Sequence, residues 1–376
     1  MSEVIELTRA LVALDTVNPA LVPGAPGERP AVDLLADRLD ARRFEIEIVG
    51  PDDRPSLVAT HRGRPGGRTL ALNGHLDTVG VEGMDDPFSG RIDGDRMYGR
   101  GTCDMKAGVA AMVVAAERTA QAGHDGDIVL ALVADEEHGS VGCTAVLEHL
   151  SGRLPDACIV GEPTWLHVIV AHRGFSVVEV ELHGRAAHSS RPHEGVNAVA
   201  LLGRLLVGVE ERDDALSAGE PHPYAGHGSL TATVAHGGTA PFTLAAHASA
   251  LVERRTIPGE PLHAGLHDVE AIMEQLALPG ACRELIARDA WELSEAALDL
   301  VALLPFEGRA GAPYWMESAL WEAAGVPTVV YGPAGGGLHT DVEWVELGQL
   351  RAYEAALESL IPTYLQLSNL SPNRPG

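Results

Sequence analysis

The chain has 376 residues, 45% of them hydrophobic and 21% charged, with a formal net charge of −26. That length favours two domains over one small core, and the composition excludes a disordered chain. The acidity excludes nucleic acid and anionic membrane surfaces as expected partners, since both bind through basic patches, and no run of about 18 apolar residues spans a bilayer.

Residues 1–13 lack the basic start of a signal peptide, and Val4, Leu7, Leu11 and Leu14 repeat at helical spacing. This predicts an amphipathic helix of the mature fold and a cytoplasmic protein. Apolar runs at 44–49, 56–60, 69–73, 128–134 and 157–160 read as strands, and the alanine-rich stretch 107–121 as a helix. Runs that are apolar on both faces suit central strands covered by helices. The fold class expected is α/β, with a mostly parallel central sheet flanked by helices.

From about Ala171 the texture changes. Strands are predicted at 176–183, 229–235 and 248–254, helices at 197–211 and 263–276, and a further strand near Leu285. This is a small α+β unit inserted in the larger one. The α/β pattern resumes with a helix at 293–304, a buried strand at 327–331 and a last helix at 347–360; residues 371–376 are expected to fray. The domains are therefore 1–171 with 290–376, and 172–289 between them.

Four cysteines, Cys103, Cys143, Cys158 and Cys282, form no CxxC pair, so reduced interior thiols are expected rather than a cysteine metal site. Lys106 is the one lysine in the chain. A compact ammonium is wanted there if the placement is not chance.

Five residues with metal-binding side chains each come after a predicted strand: His75, Asp104, Glu137, Glu162 and His339. Singly each has an ordinary reading. His75 with Asp77 suits a surface pair, Asp104 a helix cap, Glu136 and Glu137 a solvated acidic turn. Jointly they sit where open α/β sheets place their ligands. Two cations would take imidazole and carboxylate ligands, one carboxylate would bridge them, and the unliganded Glu136 would handle the proton of the attacking water. Asp77, two residues after His75 on extended chain, can hold the second ring nitrogen of that histidine.

These blocks, Asn73-Gly74-His75-Leu76-Asp77, residues 99–108, Asp135-Glu136-Glu137, Gly161-Glu162-Pro163 and Gly332-Pro333 with His339-Thr340, closely resemble the dinuclear metallohydrolases. That family includes acetylornithine deacetylase, succinyl-diaminopimelate desuccinylase, aminoacylase and related carboxypeptidases and dipeptidases. The resemblance implies that His75 and Glu162 complete one metal's shell, Glu137 and His339 the other's, with Asp104 bridging. It implies Glu136 as general base, Asp77 as support for His75, and a cis peptide after Asp104. The inserted unit would be a lid and dimerisation domain. In it, 184–190 and 195–198 match the lid motif, so that His188 reaches the site across a homodimer and stabilises the oxyanion. Arg255 and Asn197 would bind substrate, the former as a bidentate partner for a carboxylate.

Three positions depart from the family: Phe242 stands at an asparagine's place, Glu317 where aspartate is common and Ala334 where glycine is common. The expected function is metal-dependent deacylation of an N-acyl amino acid, in the manner of acetylornithine deacetylase. A carboxypeptidase or dipeptidase would use the same residues, and a non-catalytic metal-binding relative is the rival from another class. Zinc is favoured by the mixed nitrogen and oxygen donors, with cobalt and manganese as alternatives. The expected partners are a small N-acyl amino acid or short peptide and a second copy of the chain.

Overall fold

The computed structural model describes residues 2–367, so the fraying expected at 371–376 lies outside the described residues. The chain divides into two compact units, one made of Met1–Val170, Leu293–Ala310 and Met316–Gly376, the other of Ala171–Glu292 and Gly311–Trp315. The short return of Gly311–Trp315 to the second unit had no counterpart in the sequence reading.

The larger unit has a small antiparallel sheet, formed by Gly335–Gly336, Trp344–Glu346, Arg96–Tyr98 and Arg91–Asp93, and one main sheet. Its main strands are β1 (Glu45–Val49), β2 (Ser56–Arg62), β3 (Arg64–His75), β4 (Asp125–Val133), β5 (Ala157–Val160), β6 (His167–His172) and β7 (Thr328–Val330). They lie in the order β1-β2-β4-β3-β5-β7-β6. The central run β4-β3-β5-β7 is parallel, and the flanking pairs are antiparallel. This is the mostly parallel α/β sheet expected from the apolar runs. Leu70, Leu72, Leu130, Leu132 and Ile159 are fully buried, each side chain contributing about 1.5–3 kcal/mol.

Helices α1 (Glu3–Val12), α2 (Arg29–Asp40), α3 (Ala107–Ala122), α4 (Val141–Leu150) and α5 (Leu347–Leu365) belong to this unit. α3 is buried over most of its length, from Ala107 to Glu117. Its small side chains let α5 and the sheet approach closely. At Gly108 a Cβ would stand 2.3 Å from the carbonyl oxygen of Gly161. Only glycine lets the first turn of α3 rest on the end of β5, which brings the Asp104 segment beside Glu162.

Register aligns the strand ends. His75 pairs with Val133, Asn73 with Val160, and Val160 with Val330. The chain leaving each of these parallel strands therefore emerges at one rim.

The second unit has a four-stranded antiparallel sheet in which His247–Thr256 and Gly174–His183 are the inner strands and Ser229–Gly237 and Gly280–Arg288 the outer ones. Gly174–His183 alternates strictly: Val178, Val180 and Leu182 are buried while Glu181 and His183 are exposed. The buried face packs with Leu202, Leu205 and Val209 of helix Ala198–Ser217 and with Val269 and Ile272 of helix Ala264–Gln275. All six elements were predicted from alternation and spacing.

The helix expected at 293–304 is not formed as such. Trp291–Glu292 is extended, and a 3₁₀ turn at Glu295–Ala297 leads into the single turn Leu298–Val301. Pro305 ends any continuation, since a residue before proline is pushed out of the helical region. Cys103, Cys143 and Cys158 are buried and Cys282 is half-buried, and none of the four is in a disulfide among the described residues. Among the described residues, no helix is long and apolar enough to cross a membrane.

Candidate metal centre

The rim collects the predicted cluster. His75 is the last residue of β3; Glu136 and Glu137 follow β4 and Glu162 follows β5. Asp104 lies in the tight turn Thr102–Lys106 that leads into α3, and the Asp104–Met105 peptide is cis. His339 lies beyond β7 with its backbone in the left-handed region, φ 59°.

Asp104 is the centre of the arrangement. Its Oδ1 lies 3.0 Å from His75 Nε2, and its Oδ2 lies 3.4 Å from His339 Nε2. Each imidazole has a glutamate of its own: Glu162 Oε1 is 3.8 Å from His75 Nε2, and Glu137 Oε2 is 3.1 Å from His339 Nε2. Donor atoms of His75, Asp104 and Glu137, and separately of His75, Glu136 and Glu162, lie within 4.8 Å of one another. All five residues predicted as ligands, with Glu136, are thus brought together although they come from the length of the chain.

The electrostatics ask for cations. Burial raises the carboxyls of Glu136, Glu137 and Glu162 above the usual range, and their neighbouring carboxylates push them further. Burial alone would lower the imidazole of His75, but hydrogen bonding to Asp104 and Asp77 outweighs it and holds the ring well above its ordinary value. At His339, hydrogen bonds to Asp104 and Glu137 push the value up to about 10. Among the described residues no lysine or arginine pairs with any of the four carboxylates. Four acidic groups with two imidazoles in mixed nitrogen and oxygen donor sets fit a pair of divalent cations, with Asp104 facing both.

The nearest Asp77 atom to the ring of His75 is its main-chain carbonyl, not the carboxylate that the sequence pointed to. The Nδ1 of His75 lies 3.0 Å from the main-chain carbonyl of Asp77 and 3.6 Å from its Oδ1. The carboxylate chiefly accepts the N–H groups of Glu136 and Glu137, each at 3.2 Å, and the amide of Asn18 at 2.8 Å. Asn18 also donates to Asp135, whose carboxylate is held by Arg54 at 2.7 Å; Arg54 in turn meets Glu28 at 2.6 Å. This chain of buried groups fixes the turn that presents Glu136 and Glu137. The sequence reading missed Asn18, Glu28 and Arg54, whose partners within this network are at least 26 residues away.

Lys106 is fully buried and donates to the carbonyl of Leu14 at 2.9 Å. Burial lowers its ammonium to about 8 against the opposing pull of Glu343, Asp15 and Asp77. Glu317 is buried near the cluster, and burial raises it to about 8.

The remaining predicted residues belong to the second unit. His188 is exposed, with Nδ1 2.8 Å from Ser190 Oγ, on a segment bridged to Thr243. Asn197 is the N-cap of helix Ala198–Ser217, its side chain accepting from Val199 N–H at 3.2 Å. Arg255 stacks over Phe175 with its guanidinium carbon 5.3 Å from the ring centre and pairs with Glu253. Its neighbour Arg254 points the other way, into the core, where it meets Asp268 and Glu260. Phe242 is 70% exposed, and its carbonyl accepts from Ser189 N–H.

A sheet of this topology with a cluster of carboxylates and imidazoles at its strand ends is the frame of a metallohydrolase. The family model described as peptidase family M20/M25/M40 matches residues 71–363, and the chain belongs to that family, whose members hydrolyse amide bonds. Acetylornithine deacetylase of Myxococcus xanthus is 30% identical over 95% of this chain and 97% of its own length. N-acetyl-L-citrulline deacetylase of Xanthomonas campestris pv. campestris is 32% identical over 96% and 98%. The match to succinyl-diaminopimelate desuccinylase of Paracoccus denitrificans, at 37% identity, takes in 52% of this chain and 54% of that relative. Among solved structures, the metallo-carboxypeptidase Sso-CP2 of Sulfolobus solfataricus superposes with a TM-score of 0.79 at 15% identity, over 98% of this chain and 100% of that one. The YXEP protein of Bacillus subtilis, described as a dinuclear metal-binding peptidase, superposes with a TM-score of 0.72 at 16% identity over 96% and 98%.

Proposed function

We propose that the chain removes the acyl group from an N-acyl amino acid, using two divalent cations, most simply zinc. The observation that carries this reading is Asp104, whose two oxygens face two imidazoles, each with a glutamate beside it. His75 and Glu162 would hold one cation, His339 and Glu137 the other, and Asp104 both. When bound, such a pair supplies Lewis-acid polarisation of the substrate carbonyl and a lowered pKa for water.

Glu136 takes the proton from the attacking water and delivers it to the leaving amine. Its position beside His75 and Glu162, and a carboxyl raised by burial, suit a base that must later act as an acid. Asp77 keeps His75 and the turn bearing Glu136 in register. His188, supplied by the partner copy of a homodimer, donates to the oxyanion, and the second unit serves as lid and dimer contact. Arg255 and Asn197 face the substrate's amino-acid end. The acyl-amino-acid class is supported by the deacetylase names of relatives aligned along almost their whole length. Four cysteines outside any disulfide suit a reducing compartment, the cytoplasm. The acidic chain is not read as a partner of nucleic acid or membrane.

Glu136→Gln is expected to bind both cations and lose ~10²–10⁴-fold in kcat on an N-acetyl amino acid. Full activity in that variant would remove Glu136 as the base. A panel of N-acyl amino acids and dipeptides separates a deacylase from a carboxypeptidase or dipeptidase built on the same residues.

A further inference from the structure

Glu343 lies four residues past His339 and is buried to 1% exposure. A carboxylate placed there needs donors, and it has four. Oε1 accepts the main-chain N–H groups of Cys103 at 2.8 Å and Asp104 at 3.1 Å. Oε2 accepts the N–H of Gly101 at 3.0 Å and Nη1 of Arg100 at 2.8 Å. Arg100 is buried too, and its other nitrogens donate to the carbonyls of Thr340 at 3.1 Å and Gly80 at 3.0 Å. The N–H of Gly99 meets the carbonyl of Glu343 at 3.1 Å.

The loop 99–104 therefore wraps one carboxylate as a nest of N–H groups wraps an anion. That carboxylate comes from the segment that carries His339, and the loop it holds carries Asp104. Both oxygens of Glu343 are saturated, which leaves the side chain no donor or acceptor to offer a substrate. Its effect must pass through the backbone it fixes.

We infer that Glu343, clamped by Arg100, is a positioning residue that sets Asp104 between His75 and His339 and thereby governs how firmly the His339-side cation is held. The inference rests on the two-cation reading above. A salt bridge that only stabilised the fold would change the unfolding free energy and leave the stoichiometry and relative affinity of the two cations alone. A positioning role acts on one cation more than the other, because His339 and Asp104 are the ligands that the clamp joins, whereas His75 is fixed by β3.

The test is calorimetric titration of the metal-depleted full-length chain with zinc. The wild type is expected to bind two ions. In Glu343→Gln the amide nitrogen faces N–H groups instead of accepting from them. One site should keep its affinity while the other weakens about 10–100-fold, the range for lost outer-layer support of a metal ligand. The kcat should fall with it and KM stay within a few-fold. Where Glu343→Gln does not fold, Arg100→Lys carries the test, since the three backbone donors remain; the same single site should weaken to a smaller extent. Two wild-type affinities in the folded variant overturn the inference, as does equal weakening at both sites or a wild type that binds fewer than two ions. Hydrolysis of N-acetyl amino acids by the zinc-loaded wild type tests the proposed function separately, so the two readings can fail independently.

Discussion

Arg54→Met probes the buried network behind the acidic turn. Arg54 is 8% exposed, Glu28 is fully buried and Asp135 is 2% exposed. The guanidinium makes three hydrogen bonds to these two carboxylates, at 3.1 and 2.6 Å to Glu28 and 2.7 Å to Asp135. Methionine fills much of the volume, so the cavity contribution is small. What remains is two buried carboxylates without their cation, with Asp77 close by. Breaking a buried pair from one side costs about 3–5 kcal/mol.

The loss has a pH dependence with a definite sign. Burial and Asp77 raise the carboxyl of Glu28, and Arg54 opposes them. Without Arg54 the native state holds a proton on Glu28 at pH values where the unfolded chain has released it. Stability of the variant therefore falls as pH rises from the ordinary glutamate range towards neutrality, and the deficit against wild type shrinks in acid. Equilibrium urea unfolding, followed by tryptophan fluorescence at pH 5.5 and 7.5, measures both quantities. A deficit below about 1 kcal/mol at pH 7.5, the level of an exposed pair, would refute the claim that the network is a buried prop. So would a deficit that grows towards acid.

Two further outcomes are expected. Lys106→Arg should lower stability by about 1–3 kcal/mol through overpacking, since Lys106 is fully buried and its Cδ already limits the space at Gly101; urea unfolding checks this, and an unchanged stability would show that the site accepts a guanidinium. Asn197→Ala should cost about 1 kcal/mol by removing an N-cap, and steady-state kinetics on the folded variant tell whether KM also rises, as the substrate-binding reading requires.

Much of the site could be read from sequence because it depends on strand ends. The apolar runs before His75, Glu136 and Glu162 fixed which way the chain was heading when it reached those residues, and parallel register did the rest. Strands of the second unit were legible from a local signal, the alternation in 176–183 and 248–254. Helix Arg29–Asp40 carries Ala31, Val32, Leu35 and Leu39 at helical spacing, but its start is hidden behind a stretch rich in proline and glycine. Helix Val141–Leu150 presents only Gly142, Cys143, Val146 and Leu150 as buried positions, too sparse a stripe to stand out. The supports were not legible at all. Asn18, Glu28, Arg54 and Glu343 act on partners brought in by tertiary contact, and no spacing in the chain announces them. The second task of Asp77, holding the N–H groups of Glu136 and Glu137, was hidden in the same way.

Anomalous diffraction from crystals of the zinc-loaded chain shows whether Asp104 joins two cations. Two peaks about 3.5–4 Å apart are expected, one beside His75 and Glu162, the other beside His339 and Glu137, with an oxygen of Asp104 on each. A single peak, or two peaks that do not share Asp104, would contradict that arrangement.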